Sequence, residues 1–73
     1  MNKTNWGIIA TGSIAAKLAE AINSNENSVL YAVASRSENK AKDFAEKFGA
    51  TKHYGSYEQL AADENVDVVY IAT

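Results

Sequence analysis

The segment with the most chemistry in it is Ala10-Thr11-Gly12-Ser13-Ile14-Ala15, between a short apolar run and an amphipathic one. Its spacing follows G-x-G-x-x-G/A, with Ala10 in place of the first glycine. Gly12 holds the second position, where a missing side chain lets the backbone approach a pyrophosphate. Ala15 holds the third, where a small residue allows close helix–strand packing. Thr11 lies inside the turn. Backbone amides around Ser13 and Ile14 fall in the first helical turn and would point at phosphate oxygens, helped by the helix dipole. The other reading is a tight turn with no ligand.

A second set of residues follows at Ser35-Arg36-Ser37. An NAD-specific domain usually carries an acid there, to bind the ribose 2′-hydroxyl. No acid is present. Arg36 suits a 2′-phosphate or the face of an adenine, and Ser35 offers a hydroxyl. Lys40, one turn into the next helix, adds positive charge. The competing reading leaves Arg36 and Lys40 as solvated surface. The set points to NADP rather than NAD. Ala72 and Thr73 close the last apolar run, where open α/β sheets place ligands, and their small size would admit a ribose or nicotinamide.

The remaining candidates read as structural. His53 is the single histidine and there is no cysteine, so no metal site is expected and His53 reads as a surface strand residue. Tyr54 and Tyr57 read as packing residues, Trp6 as cover for the edge of the core, and Asp67 as a strand entrance.

The hydrophobic pattern supplies the elements that must position these residues. Trp6 to Ala10 reads as a buried strand. Ser13 to Asn23 reads as a helix, with Ile14, Leu18, Ala21 and Ile22 on its apolar face. After a polar loop, Val29 to Ser35 reads as a second strand. Ser37 suits a helix N-cap, Ala41, Phe44, Ala45 and Phe48 form a stripe, and Gly49 suits the stop. Lys52-His53-Tyr54 is a short strand. Ser56 and Gln59 form a capping box for a helix from Tyr57 to about Ala62. Val66 to Thr73 is the last strand, with Val68, Val69, Tyr70 and Ile71 as its continuous core. Alternating strands and helices imply a three-layer αβα arrangement of Rossmann type, with a parallel four-stranded sheet in the order 3-2-1-4.

The chain has 73 residues, 47% of them hydrophobic and 22% charged, with a formal net charge of -2. This is the profile of one small globular unit. The seven basic residues are scattered, so neither nucleic acid nor an anionic membrane is expected as a partner. No run approaches the roughly 20 apolar residues of a membrane-spanning helix. The expected address is the cytoplasm. The last strand would form a bare apolar edge, so self-association through it is expected. Residues 1–73 are read as part of a longer dinucleotide-binding domain.

Four stretches taken together resemble the glucose–fructose oxidoreductase / inositol dehydrogenase (Gfo/Idh/MocA) family. They are Trp6 to Ala15, Ala32 to Ser37, Tyr54 to Leu60 and Val66 to Thr73. The resemblance implies an N-terminal NAD(P)-binding Rossmann domain. It implies hydride transfer to or from sugar, polyol or dihydrodiol-type substrates. In that family the turn matching Ala10–Ile14 holds the pyrophosphate, and Ser-Arg at the positions of Ser35 and Arg36 goes with NADP. The family normally has glycine where Ala10 stands. Its catalytic lysine lies beyond position 73, so no catalytic residue is assigned and the 73 residues alone are expected to be inactive. The rival readings are a non-catalytic NADP-binding or sensing module, a methyltransferase binding S-adenosylmethionine, and a folded unit with no ligand. The missing acid at the end of the second strand argues against the methyltransferase.

Overall fold

The computed structural model describes residues 3–9 and 12–72. Ala10, Thr11 and Thr73, selected above as site residues, lie outside the described residues. Seven elements alternate along the chain: β1 (Thr4–Ile9), α1 (Ser13–Ser24), β2 (Ser28–Ala34), α2 (Glu38–Phe48), β3 (Lys52–Tyr54), α3 (Tyr57–Ala61) and β4 (Val68–Ile71). The strands form one parallel sheet in the order β3-β2-β1-β4. Both the αβα class and the strand order expected from the sequence are present.

Local signals set the helix boundaries. The Ser37 hydroxyl accepts the Lys40 N–H at 3.4 Å and opens α2. Gly49 closes it at φ 78, a left-handed conformation that favours glycine, and its N–H donates to the Ala45 carbonyl at 2.8 Å. Ser56 caps α3 by accepting the Gln59 N–H at 3.2 Å. Each cap satisfies a donor or carbonyl that a helix end otherwise leaves unpaired.

The core has two parts, one on each side of the sheet. On one side α1 and α2 bury Ala15, Ala19, Ile22, Ala41, Phe44 and Ala45 against Ile8, Leu30 and Val33. On the other, Leu60 of α3 packs with Ile9, Ala32 and Ala34, flanked by Tyr31, Tyr54, Tyr57 and Val66. Alternation along a regular strand would put Leu30 and Val33 on opposite faces. They share a face because the pairing jumps from Trp6↔Leu30 to Gly7↔Ala32, leaving Tyr31 as an extra residue in β2. This irregularity resets the register, so that Ala32 and Ala34 face α3 and Val33 faces α1 and α2.

Several expectations need correction. The buried face of α1 is Ala15, Ala19 and Ile22 with Leu18 partly buried, while Ile14 and Ala21 are exposed. Two alanines, rather than larger residues, let the helix backbone approach the sheet. The bare apolar edge is as expected: Val68, Val69, Tyr70 and Ile71 are 39–64% exposed, because β4 pairs only with β1 and lies at the sheet edge. This is the edge expected to self-associate. His53 is half-buried rather than on the surface, with its Nδ1 enclosed and unpartnered among the described residues.

Other readings hold. Trp6 packs at the margin of the first core and its indole N–H donates to the Ser28 hydroxyl at 3.2 Å. Asp67 stands at the entrance to β4, where its Oδ2 accepts the Asn5 N–H at 2.9 Å and its own N–H donates to the Asn5 carbonyl at 2.8 Å.

The loop after α3 is held by a phenol–carboxylate bond. The Tyr54 hydroxyl donates to Asp63 Oδ2 at 2.5 Å, and the Asn65 N–H donates to Asp63 Oδ1 at 2.8 Å. That bond, followed by burial, pushes the Tyr54 phenol up to about 12 from 10.0. The same bond, with the Asn65 amide, holds the Asp63 carboxyl below its ordinary 3.8. The two linkages have opposite signs. Tyr54 contributes stability that is whole below pH 10 and is lost as pH rises toward 12. Asp63 contributes stability present above its ordinary value and lost as pH falls through the lower folded one. In an alkaline absorbance titration of the folded chain, Tyr54→Phe is expected to remove the ionisation step near pH 12. A step there that survives the substitution would contradict the assignment.

Candidate functional site

The strand register brings the selected residues to one edge of the sheet. Ile9 pairs with Ala34 on one side and Ile71 on the other, and Ala34 pairs with Tyr54. The carboxyl ends of all four strands are therefore level. Backbone bonds continue just past them: Ala72 N–H to the Ile9 carbonyl at 3.0 Å, and Ser35 N–H to the Tyr54 carbonyl at 3.2 Å. The chain leaves β1 toward β2 on one side and reaches β4 on the other. In open α/β sheets, such a reversal leaves a crevice at the strand ends.

Gly12 sits at the N-terminus of α1. Its backbone, at φ -78 and ψ -172, is one any residue adopts, and it makes no side-chain cap bond. Among the described residues, a Cβ added there would meet nothing within 4 Å. The fold itself has no need of glycine at this position. Gly7 is the opposite case, since its Cβ would come within 3.0 Å of Leu60 and Val66. The first intrahelical bond of α1 runs from the Ala16 N–H to the Gly12 carbonyl at 3.0 Å. The amides of Ser13, Ile14 and Ala15 precede it and have no partner within the helix. No acid stands in this first turn to occupy them. Among the described residues nothing occupies these amides, an arrangement that fits a phosphate group. Ser13 is exposed, and the Ile14 side chain is 58% exposed. Ala15 is fully buried against the sheet.

Ser35 ends β2 almost wholly buried, and its hydroxyl oxygen accepts the Ser37 N–H at 3.3 Å. Accepting leaves the hydroxyl hydrogen free to donate. Arg36 and Lys40 are exposed at the same corner. Ala72 is 7% exposed and packs into the α1 side of the core, so any approach there is to its backbone.

An open groove of about 430 Å³ lies between Gly12 and α2; among the described residues Gly12, Lys40, Asp43, Phe44 and Lys47 line it. From the sequence, Gly12 and Lys40 read as site residues, Asp43 and Lys47 only as an i,i+4 pair along the helix, and Phe44 only as core. The signal was available as the i, i+3, i+4, i+7 spacing from Lys40 along α2. What the spacing does not tell is that this face of α2 lies beside the turn at Gly12. The Lys47 ammonium lies 5.5 Å from the Phe48 ring centroid, a cation–π contact that tethers it. Among the described residues no three His, Cys, Asp or Glu side chains are grouped to hold a metal, and no helix is long and apolar enough to cross a membrane.

Comparison with known proteins agrees with this geometry. The chain is 49% identical over 71 residues to mouse trans-1,2-dihydrobenzene-1,2-diol dehydrogenase and 42% identical to the human protein of that name. Each match covers 93% of this chain and 21% of the relative, so the chain spans about a fifth of the length of these proteins. The 3-ketoreductase KijD10 from Actinomadura kijaniata, solved with NADP, superposes with a TM-score of 0.93 at 30% identity, over 99% of this chain and 23% of that one. GenD2 from gentamicin A biosynthesis, solved with NAD, superposes at 0.89 and 25% identity, over 100% of this chain and 21% of that one. The family model for the Gfo/Idh/MocA oxidoreductases, described as an oxidoreductase family with an NAD-binding Rossmann fold, matches residues 4–73. A match over nearly the whole chain, on a sheet of the right order with the glycine turn at its switch point, establishes that this chain belongs to the Gfo/Idh/MocA oxidoreductase family.

Proposed function

We propose that the chain is the NADP(H)-binding portion of an oxidoreductase that moves a hydride to or from a sugar, polyol or dihydrodiol-like substrate. The observation that carries the binding reading is Gly12: a glycine the fold does not require, at an uncapped helix N-terminus, facing open space. A phosphate approaching the amides of Ser13 and Ile14 supplies the missing reason for it. Bound nicotinamide would supply the hydride acceptor or donor. The chain's own residues would hold the pyrophosphate at the turn and the adenosine end at Ser35, Arg36 and Lys40. The substrate class, a sugar, polyol or dihydrodiol, rests on the dihydrodiol dehydrogenases and the 3-ketoreductase among the relatives.

Preference for NADP rests on the corner at Ser35-Arg36, which offers a hydroxyl and two cations and no carboxylate at the strand end. Calorimetric titration of the purified chain with NADP and with NAD is the test. NADP is expected to bind about tenfold tighter, a difference of about 1.4 kcal/mol, and Arg36→Ala is expected to erase most of it. Equal affinities for the two nucleotides would sink the role given to Arg36. Failure of both to bind would sink the nucleotide reading itself.

A further inference from the structure

The groove beside Gly12 contains one carboxylate between two cations. On α2, Lys40, Asp43 and Lys47 share a face, spaced three and four residues apart, and all three line the groove with Gly12. Asp43 is exposed and lies on an element separate from the turn. The end of β2, where an acid would read the ribose, has none. Among the described residues, Asp43 is thus the only carboxylate that lines the groove.

We propose that Asp43 is a specificity-determining residue that limits the preference for NADP over NAD by repelling the 2′-phosphate. The inference rests on the nucleotide reading above. The two nucleotides share the pyrophosphate at the turn, so repulsion from Asp43 acts on both. NADP carries a further phosphate of about two negative charges at the adenosine end. The repulsion on that group has no counterpart in NAD. It offsets part of the attraction from Lys40, while Lys47 is drawn toward the Phe48 ring. Asp43 therefore sets how far the groove favours the more anionic cofactor. Asp43 is exposed on the helix face that carries Lys40, so its effect would be Coulombic and must fall with salt.

The test compares wild type with Asp43→Asn and Asp43→Ser, titrated with NADP, NAD, 2′,5′-ADP and 5′-AMP at low and physiological salt. Both variants change an exposed helix position, and circular dichroism checks that they fold. The ratio of NADP to NAD affinity is expected to rise about three- to tenfold at low salt, and the 2′,5′-ADP to 5′-AMP ratio with it. Both gains are expected to shrink as salt is raised. A ratio unchanged within about twofold at low salt would overturn the proposal. So would a fall in the ratio or in NAD affinity, which would make Asp43 an acceptor for ribose hydroxyls. If wild type binds none of the four probes, the nucleotide reading fails and this inference with it. If wild type binds and only the ratio stands still, this inference alone fails.

Discussion

Replacing Gly12 by aspartate is expected to stabilise the chain and abolish its nucleotide binding. The two effects have opposite signs for one reason. The N-terminus of α1 has no side-chain cap and no acid in its first turn. A carboxylate at position 12 would accept from the free amides and complement the helix dipole, worth about 0.3–1 kcal/mol. Among the described residues nothing opposes the new side chain, since a Cβ there has no neighbour within 4 Å and the backbone angle is ordinary. For a chain of this size that gain raises the melting temperature by a few degrees, at roughly 4–8 °C per kcal/mol. The same carboxylate occupies the amides a pyrophosphate would use and sets a negative charge against it. NADP affinity is expected to fall by about a hundredfold or more, at about 1.4 kcal/mol per factor of ten. Thermal melting without nucleotide and calorimetry with it measure the two halves. Wild-type affinity in Gly12→Asp would remove the phosphate from this turn.

Gly7→Ala is expected to do the reverse: destabilise strongly, through the core and without reference to any ligand. The added Cβ would stand 3.0 Å from Leu60 Cδ2 and 3.0 Å from Val66 Cγ1. Leu60 is fully buried and cannot swing into solvent. Overpacking of this kind costs about 1–3 kcal/mol, a large share of the roughly 5 kcal/mol a small domain has to lose. Leu60→Val removes a methylene from the crowded side, and alone costs about 0.5–1.5 kcal/mol. In the double variant the two changes should offset each other, so that the losses fall short of additivity by about 0.5 kcal/mol or more. Denaturant unfolding of the four proteins measures this. Strict additivity would show that the new Cβ does not press on Leu60.

These two glycines show what spacing along the chain can and cannot tell. Gly12 is legible as a phosphate-binding candidate because the motif is local: strand, turn and helix are contiguous in sequence. Gly7 carries no such sign, because its neighbours Leu60 and Val66 are over fifty residues away. The same division runs through the helices. The caps at Ser37, Gly49 and Ser56 were legible because a cap bond spans three or four residues. The buried face of α1 was misjudged at Ile14 and Ala21. Helical period alone leaves the direction of the face open by a residue, and packing of Ala15, Ala19 and Ile22 on the sheet decides it.

By itself the sequence determined the alternation of strands and helices, the helix ends and the parallel sheet in its order, and it marked the turn at Gly12 as the candidate place for phosphate. All of these follow from hydrophobic period, capping chemistry and the right-handed crossover rule, which act over short stretches. Tertiary structure alone decided the extra residue at Tyr31, the enclosure of His53, and the gathering of Gly12 with Lys40, Asp43, Phe44 and Lys47 into one groove. Each depends on which strand or helix lies alongside which, and at what register. That is a property of packing between distant segments, and no local spacing records it.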